Sequence, residues 1–171
     1  MPLWIDSLDF ARNGRELRGA VLVADMPRLQ EMLATTEGEL NYVVRGFLGR
    51  HNEDRHGKPM LEVALDGLCQ LRCQRCLQSL SYPVQLISSL LLLEADELDE
   101  SSVEEDAIDS IPADAHLNVL DLLEEELLLS LPFAPRHPVG VCQPALAGYV
   151  VEETDQVVKT PFAVLAELKS K

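Results

Sequence analysis

Positive charge is scarce in this chain. Only 14 of its 171 residues are Lys or Arg, against 29 Asp or Glu, and the net charge is -15. A protein that coats DNA or RNA through a basic surface is therefore excluded, as is a peripheral binder of anionic membranes. Long apolar runs are also missing. The longest, Leu86 to Leu93, spans eight residues and contains two serines, whereas crossing a bilayer takes about 20. The opening MPLWIDSLDF has two aspartates and no Lys or Arg, which does not fit a secretory signal. Four cysteines without such a signal point to reduced thiols in the cytoplasm rather than a disulfide framework. Phosphate-binding loops of the GxGxxG and GxxxxGK[ST] types are absent, and so are an HExxH pair and a GxSxG elbow. Nothing in the sequence argues for catalysis.

What is present is unevenly spread. Residues 1–80 carry ten basic and eleven acidic side chains, and residues 81–171 carry four and eighteen. The excess concentrates in residues 94–110, EADELDESSVEEDAIDS, which hold nine acids and no base. Self-repulsion predicts a loop there. It reads either as a solubilising loop or as an acidic surface that meets a basic partner.

Apolar periodicity predicts an α+β domain over residues 1–142, followed by a partly flexible tail over 143–171. Glu16 to Val23 reads as a strand, and Asp25 as the cap of a short helix with Pro27 in its first turn. Leu40 to Leu48 and Leu61 to Asp66 alternate around the polar loop 50–59, which predicts a hairpin. Alternation continues through Cys69, Leu71 and Cys73, and a further strand covers Tyr82 to Leu93. Together these give an antiparallel sheet or partly open barrel that needs a cover. The cover is a helix over 119–131, capped by Asn118 and stopped by Pro132, with Leu120, Leu123, Leu127 and Leu131 on one stripe. Glu124, Glu125 and Glu126 read as its solvated side. A second short amphipathic helix, with Phe162, Leu165 and Leu168, closes the chain.

Cys73-Gln74-Arg75-Cys76 has the CxxC spacing with which two thiolates grip one tetrahedral metal ion. His137 and Cys142 are the partners that would complete a Cys3His zinc site. The same pair also fits a thiol redox couple or metal-free packed thiols; Cys69 reads as packing. A local basic cluster, Arg45, Arg50, Arg55, Lys58, Arg72 and Arg75, would contact phosphates or a partner if the strands gathered it at one end of the sheet. Otherwise it reads as ordinary exposed charge.

The order of these motifs resembles the bacterial YceD family, the large ribosomal RNA subunit accumulation proteins. The resemblance is carried by Leu71-Arg72-Cys73-Gln74-Arg75-Cys76-Leu77, then the acidic stretch, then Leu120 to Pro132 with Pro135, His137 and Cys142 after it, and last Pro161 to Lys169. It implies a non-enzymatic cytoplasmic factor that supports 23S ribosomal RNA accumulation and large-subunit assembly. The implied partners are a large-subunit ribosomal protein, an assembly factor or precursor 23S rRNA, with no membrane or DNA role. The family's CxxC pair corresponds to Cys73 and Cys76, and its later His and Cys to His137 and Cys142. At a net charge of -15, long-range repulsion opposes approach to phosphates. The acidic half would then hold a basic partner while the CxxC end touches RNA. Alternatively the chain is an adaptor without RNA contact that docks through its terminal helix. A CxxC oxidoreductase is the third reading.

Overall fold

The structure is a computed structural model, and it describes residues 3–49, 57–94 and 109–142. The acidic run 95–108, the tail 143–171 with its expected helix, and the loop residues Arg50 and Arg55 lie outside them. The described elements are β1 (Trp4–Ile5), α1 (Ser7–Arg12), β2 (Glu16–Leu22), β3 (Glu39–Leu48), β4 (Pro59–Arg72), β5 (Ser79–Leu93), β6 (Ser110–Pro112), β7 (Leu117–Asn118) and α2 (Val119–Ser130).

The expected α+β architecture is what forms. Strands β2 to β5 make an antiparallel meander, and β6 joins β5 in parallel, giving the sheet order β2-β3-β4-β5-β6. The sheet is open, with β2 and β6 as its edges. β6 corrects the purely antiparallel expectation: Ser110, placed at the end of the acidic loop by sequence, starts this strand. A parallel neighbour needs a long crossover rather than a tight turn, and the acidic run is the length of chain between the two strands.

One sheet face carries the alternating apolar residues. Leu61, Val63, Leu65, Cys69 and Leu71 of β4 pack with Val44 of β3 and Val84, Leu90 and Leu92 of β5. The cover comes from two helices. α2 contributes Val119, Leu122, Leu123, Leu127 and Leu131, and α1 contributes Phe10 and Ala11. Asn118 caps α2 as expected, its side-chain oxygen accepting from Leu120 N at 3.1 Å. α1, to which the sequence reading assigned nothing, is capped by Asp6. It lies against β3 at Gly46, where an added Cβ would collide with the Phe10 carbonyl and stand 2.6 Å from Ala11 Cα. Only a residue without a side chain admits this approach.

Two local expectations fail. No helix follows Asp25. Residues 23–29 form two 3-10 turns, Val23–Asp25 and Pro27–Leu29, neither with a side-chain cap. Pro27 holds the residue before it out of the helical region, and Met26 sits at φ -107°, ψ 86°. The chain then turns so that Leu33 bridges Leu71 at the far end of β4.

The second failure concerns the glutamates of α2. Glu124 and Glu126 are buried, and Glu124 is only 2 % exposed. Its Oε1 accepts from Arg28 N at 2.5 Å and Leu29 N at 3.3 Å, and its Oε2 accepts from Arg28 Nε at 2.9 Å. The same guanidinium donates to the Asp121 carbonyl at 2.9 Å. A buried carboxylate is tolerated because its lone pairs are filled. It clasps the 27–29 turn onto α2. Glu125 alone of the three is exposed as expected.

Two stability outcomes follow, both measurable by urea unfolding. Glu124→Ala strands the Arg28 and Leu29 amides and should cost about 2–3 kcal/mol, while Glu125→Ala should cost below about 0.5 kcal/mol. Gly46→Ala should cost about 2 kcal/mol through overpacking against α1.

Candidate metal centre

β4 and β5 form the longest hairpin among the described residues, paired from Met60↔Leu91 out to Arg72↔Ser79. The six residues that join them, Cys73 to Gln78, are the CxxC turn. It is held by Cys73 N donating to Gln78 O at 3.0 Å and Leu77 N donating to Cys73 O at 2.9 Å. Leu77 takes the left-handed conformation, φ 61°. That conformation is costly for a residue with a Cβ, so the turn is held against a local preference.

The second half of the centre arrives from the segment after α2. Pro132 and Pro135 break the helix, and Gln74 N donates to Pro135 O at 2.8 Å, tying this segment to the hairpin tip. His137 and Cys142 are thereby brought to Cys73 and Cys76. The four ligand atoms all lie within 4.8 Å of one another. Cys73 Sγ is 3.7 Å from Cys142 Sγ, and Cys76 Sγ is 3.5 Å from His137 Nδ1.

These spacings suit a tetrahedral zinc ion. Two sulphurs at 2.3 Å from one such ion stand about 3.8 Å apart, and a sulphur and an imidazole nitrogen about 3.6 Å. The histidine is also oriented as a metal ligand. Its Nε2 faces the Ser79 carbonyl at 3.0 Å. A carbonyl only accepts, so Nε2 carries a proton, and Nδ1 is the nitrogen that faces the sulphurs. A ligating histidine that donates its other N–H to a backbone carbonyl is the usual outer arrangement of zinc sites.

The electrostatics favour thiolates at part of the centre. Burial opposes ionisation of Cys73, but backbone N–H groups of Cys76, His137 and Arg75 outweigh it and bring the thiol down to about 5. Burial likewise opposes ionisation of Cys142, and the Arg75 guanidinium beside it overcomes the penalty. Cys76 moves the other way. The Gln78 N–H favours its thiolate, yet burial and the Cys142 and Cys73 sulphurs keep it above the ordinary thiol value. His137 is raised by its hydrogen bonds to Cys73 and Cys142. Three sulphurs packed together cannot all ionise cheaply, and a divalent cation among them removes the conflict. Cys69, buried in the core with its thiol pushed up by burial, stands apart as packing, as expected.

The described members of the basic cluster fall into two places. Arg45 lies in mid-sheet, bound to Glu16 at 2.9 Å and Glu62 at 2.7 Å. Arg72 ends β4, ten residues beyond Glu62, or about 33 Å along the strand. Its backbone N–H donates to Met32 O at 2.8 Å and its guanidinium to Leu33 O at 3.1 Å. Arg75 sits at the CxxC turn. The hairpin thus separates Arg45 and Lys58 from Arg72 and Arg75. Arg50, Phe162, Leu165 and Leu168 lie outside the described residues. Arg136 and Phe133, just before His137 in the chain, belong to no motif and carry no sequence signal.

No solved structure matches the chain. A family model does, over residues 61–169, a span that begins at β4, takes in all four cluster residues and covers well over half of the sequence. The chain belongs to the family described as large ribosomal RNA subunit accumulation protein YceD.

Proposed function

We propose that this chain is a non-enzymatic cytoplasmic factor that supports 23S ribosomal RNA accumulation and large-subunit assembly by binding, and that its Cys3His centre holds one structural zinc ion. The family description supports the ribosomal RNA role. The observation that carries the binding reading is the completeness of the ligand set. Four protein donors, Cys73, Cys76, His137 and Cys142, stand within 4.8 Å of one another, the number a tetrahedral zinc ion takes. Structural zinc sites are closed in this way, whereas catalytic ones leave a position for water or substrate. The ion, when bound, supplies a crosslink between the β4–β5 hairpin tip and the segment after α2.

The acidic excess gives the binding its direction. With eighteen acids against four bases in residues 81–171, the surface potential attracts a basic large-subunit protein or a basic assembly factor and steers its approach. Precursor 23S rRNA is the remaining partner class, reached through the less acidic end of the molecule. No helix among the described residues is long and apolar enough to cross a membrane, and the reading gives the protein no membrane role.

Metal analysis of the purified full chain should find about one zinc per molecule. Cys76→Ser and Cys142→Ser should each lower that content several-fold. With metal a thousandfold above its Kd, bound zinc adds about 4 kcal/mol to stability, so loss of the site should lower the melting temperature by roughly 10 °C. A chain that stays metal-free when purified with zinc present, holds a Cys73–Cys76 disulfide and exchanges it with a dithiol would instead be an oxidoreductase. The functional half of the proposal is checked by removing the gene from its host and restoring it. The intact chain should restore 23S rRNA, and Cys76→Ser should not.

A further inference from the structure

The tip of the molecule departs from its overall charge. Residues 67–93 and 127–142 contain no Asp or Glu at all. At the chain's average acidic content, stretches of this combined length would carry about seven. The two stretches are distant in sequence, and the Cys3His centre is where they meet. Three arginines belong to them, Arg72, Arg75 and Arg136, all exposed. Glu31 stands beside the Met32 carbonyl that accepts from Arg72 N. Elsewhere the described arginines are spent on carboxylates: Arg12, Arg15, Arg18 and Arg28 each hold one, and Arg45 holds two. Arg72, Arg75 and Arg136 hold none among the described residues. Arg75 lies against the Cys142 sulphur, and it retains donors for another anion.

Apolar side chains stand out in the same two stretches. Phe133 is 100 % exposed, Val139 96 %, Val141 66 % and Leu77 64 %. Leu77 and Val141 adjoin the ligands Cys76 and Cys142, and Val139 lies two residues from His137. Exposed apolar groups beside arginines that hold no carboxylate among the described residues mark a binding surface. Its charge decides between occupants. A basic protein would be drawn to the acidic remainder of the chain, and an acidic surface to this end. Unpaired RNA supplies both halves of the match, phosphates for the arginines and base faces for the apolar groups. An A-form duplex hides its base faces, and three cations on a small tip are few for a backbone-only contact.

We propose that the Cys3His tip is a binding site for unpaired RNA, with Phe133 as the stacking platform and Arg72, Arg75 and Arg136 as phosphate contacts. The inference rests on the ribosomal RNA role read above. It adds that the contact is direct, sequence-tolerant and located at the metal centre. The zinc crosslink holds Arg75 and Arg136 in one surface, since they lie on the two segments that the centre joins.

The test uses the zinc-loaded full chain and fluorescently labelled oligouridine and oligoadenosine 12-mers, with an RNA duplex of equal length for comparison, read by anisotropy. Both single strands should bind with similar affinity and at least tenfold more tightly than the duplex. With three phosphate contacts, affinity should fall with salt at a log–log slope of about 2. Phe133→Ala should weaken binding about tenfold, within the range of one lost base stack. Arg136→Glu should weaken it by a similar factor. Neither residue ligates the centre, so zinc content and melting temperature should stay unchanged. Lys58→Glu, the same charge change at the far end of β4, should alter affinity less than twofold. Equal losses from Lys58→Glu and Arg136→Glu would reduce the effect to net charge and overturn the site. Preference for the duplex, absence of saturable binding, or capture of a purified large-subunit protein that Phe133→Ala abolishes would also overturn it. If the intact chain restores 23S rRNA in a host lacking the gene and yet binds neither oligonucleotide, this inference falls while the assembly role stands. If it restores nothing, the assembly role itself falls.

Discussion

The register of the β4–β5 hairpin is the constraint on which the site depends. Arg72 faces Ser79 at its end, and that pairing leaves six residues to make the turn that carries Cys73 and Cys76. A one-residue slip would send the alternate side chains to the other face. Leu61, Val63, Leu65, Cys69 and Leu71 would then leave the core together. Burial of that row therefore fixes where the two thiols stand. The Ser79 carbonyl, set by the same register, accepts the His137 Nε2–H and so decides which imidazole nitrogen faces the sulphurs. Core packing and ligand orientation are consequences of one alignment.

The remaining elements bring the second pair of ligands to this fixed tip. α2 is held on the sheet by its apolar stripe and by the Glu124–Arg28 clasp, which joins residues 96 positions apart. The segment leaving α2 can then reach the hairpin, where Gln74 N and Pro135 O close the gap. Charge is sorted along the same axis. Mid-sheet arginines are consumed by Glu16 and Glu62, whereas the metal end keeps its arginines and has no acids in the two stretches that build it. Separation of this kind keeps fields of opposite sign on one small chain from cancelling.

Much of this was legible in the sequence. Alternation over 61–66, resumed after Gly67 at Cys69 and Leu71, marked β4, Asn118 and Pro132 bounded α2, and CxxC with a later His and Cys marked the candidate ligand set. Each of those signals is local or rests on residue types that rarely serve another purpose. The parts that escaped are the nonlocal ones. α1 has six residues, too few to show a helical period. β6 has three and follows an acidic run that reads as loop. Nothing near Glu124 in sequence indicates that Arg28 will neutralise it, so three consecutive glutamates read as a wet face. The basic cluster divides, among its described members, for a similar reason. Counting arginines along the chain ignores both the length of β4, which separates Arg45 from Arg72, and the carboxylates that the neighbouring strands place opposite Arg45.

The central claim is that four protein ligands close one zinc site at the hairpin tip. Zinc K-edge X-ray absorption on the purified full chain tests it most directly. The account predicts three sulphur neighbours at about 2.3 Å and one nitrogen at about 2.0 Å. Fewer than three sulphurs, or an oxygen neighbour marking an open position, would contradict it and return the centre to the company of catalytic metals.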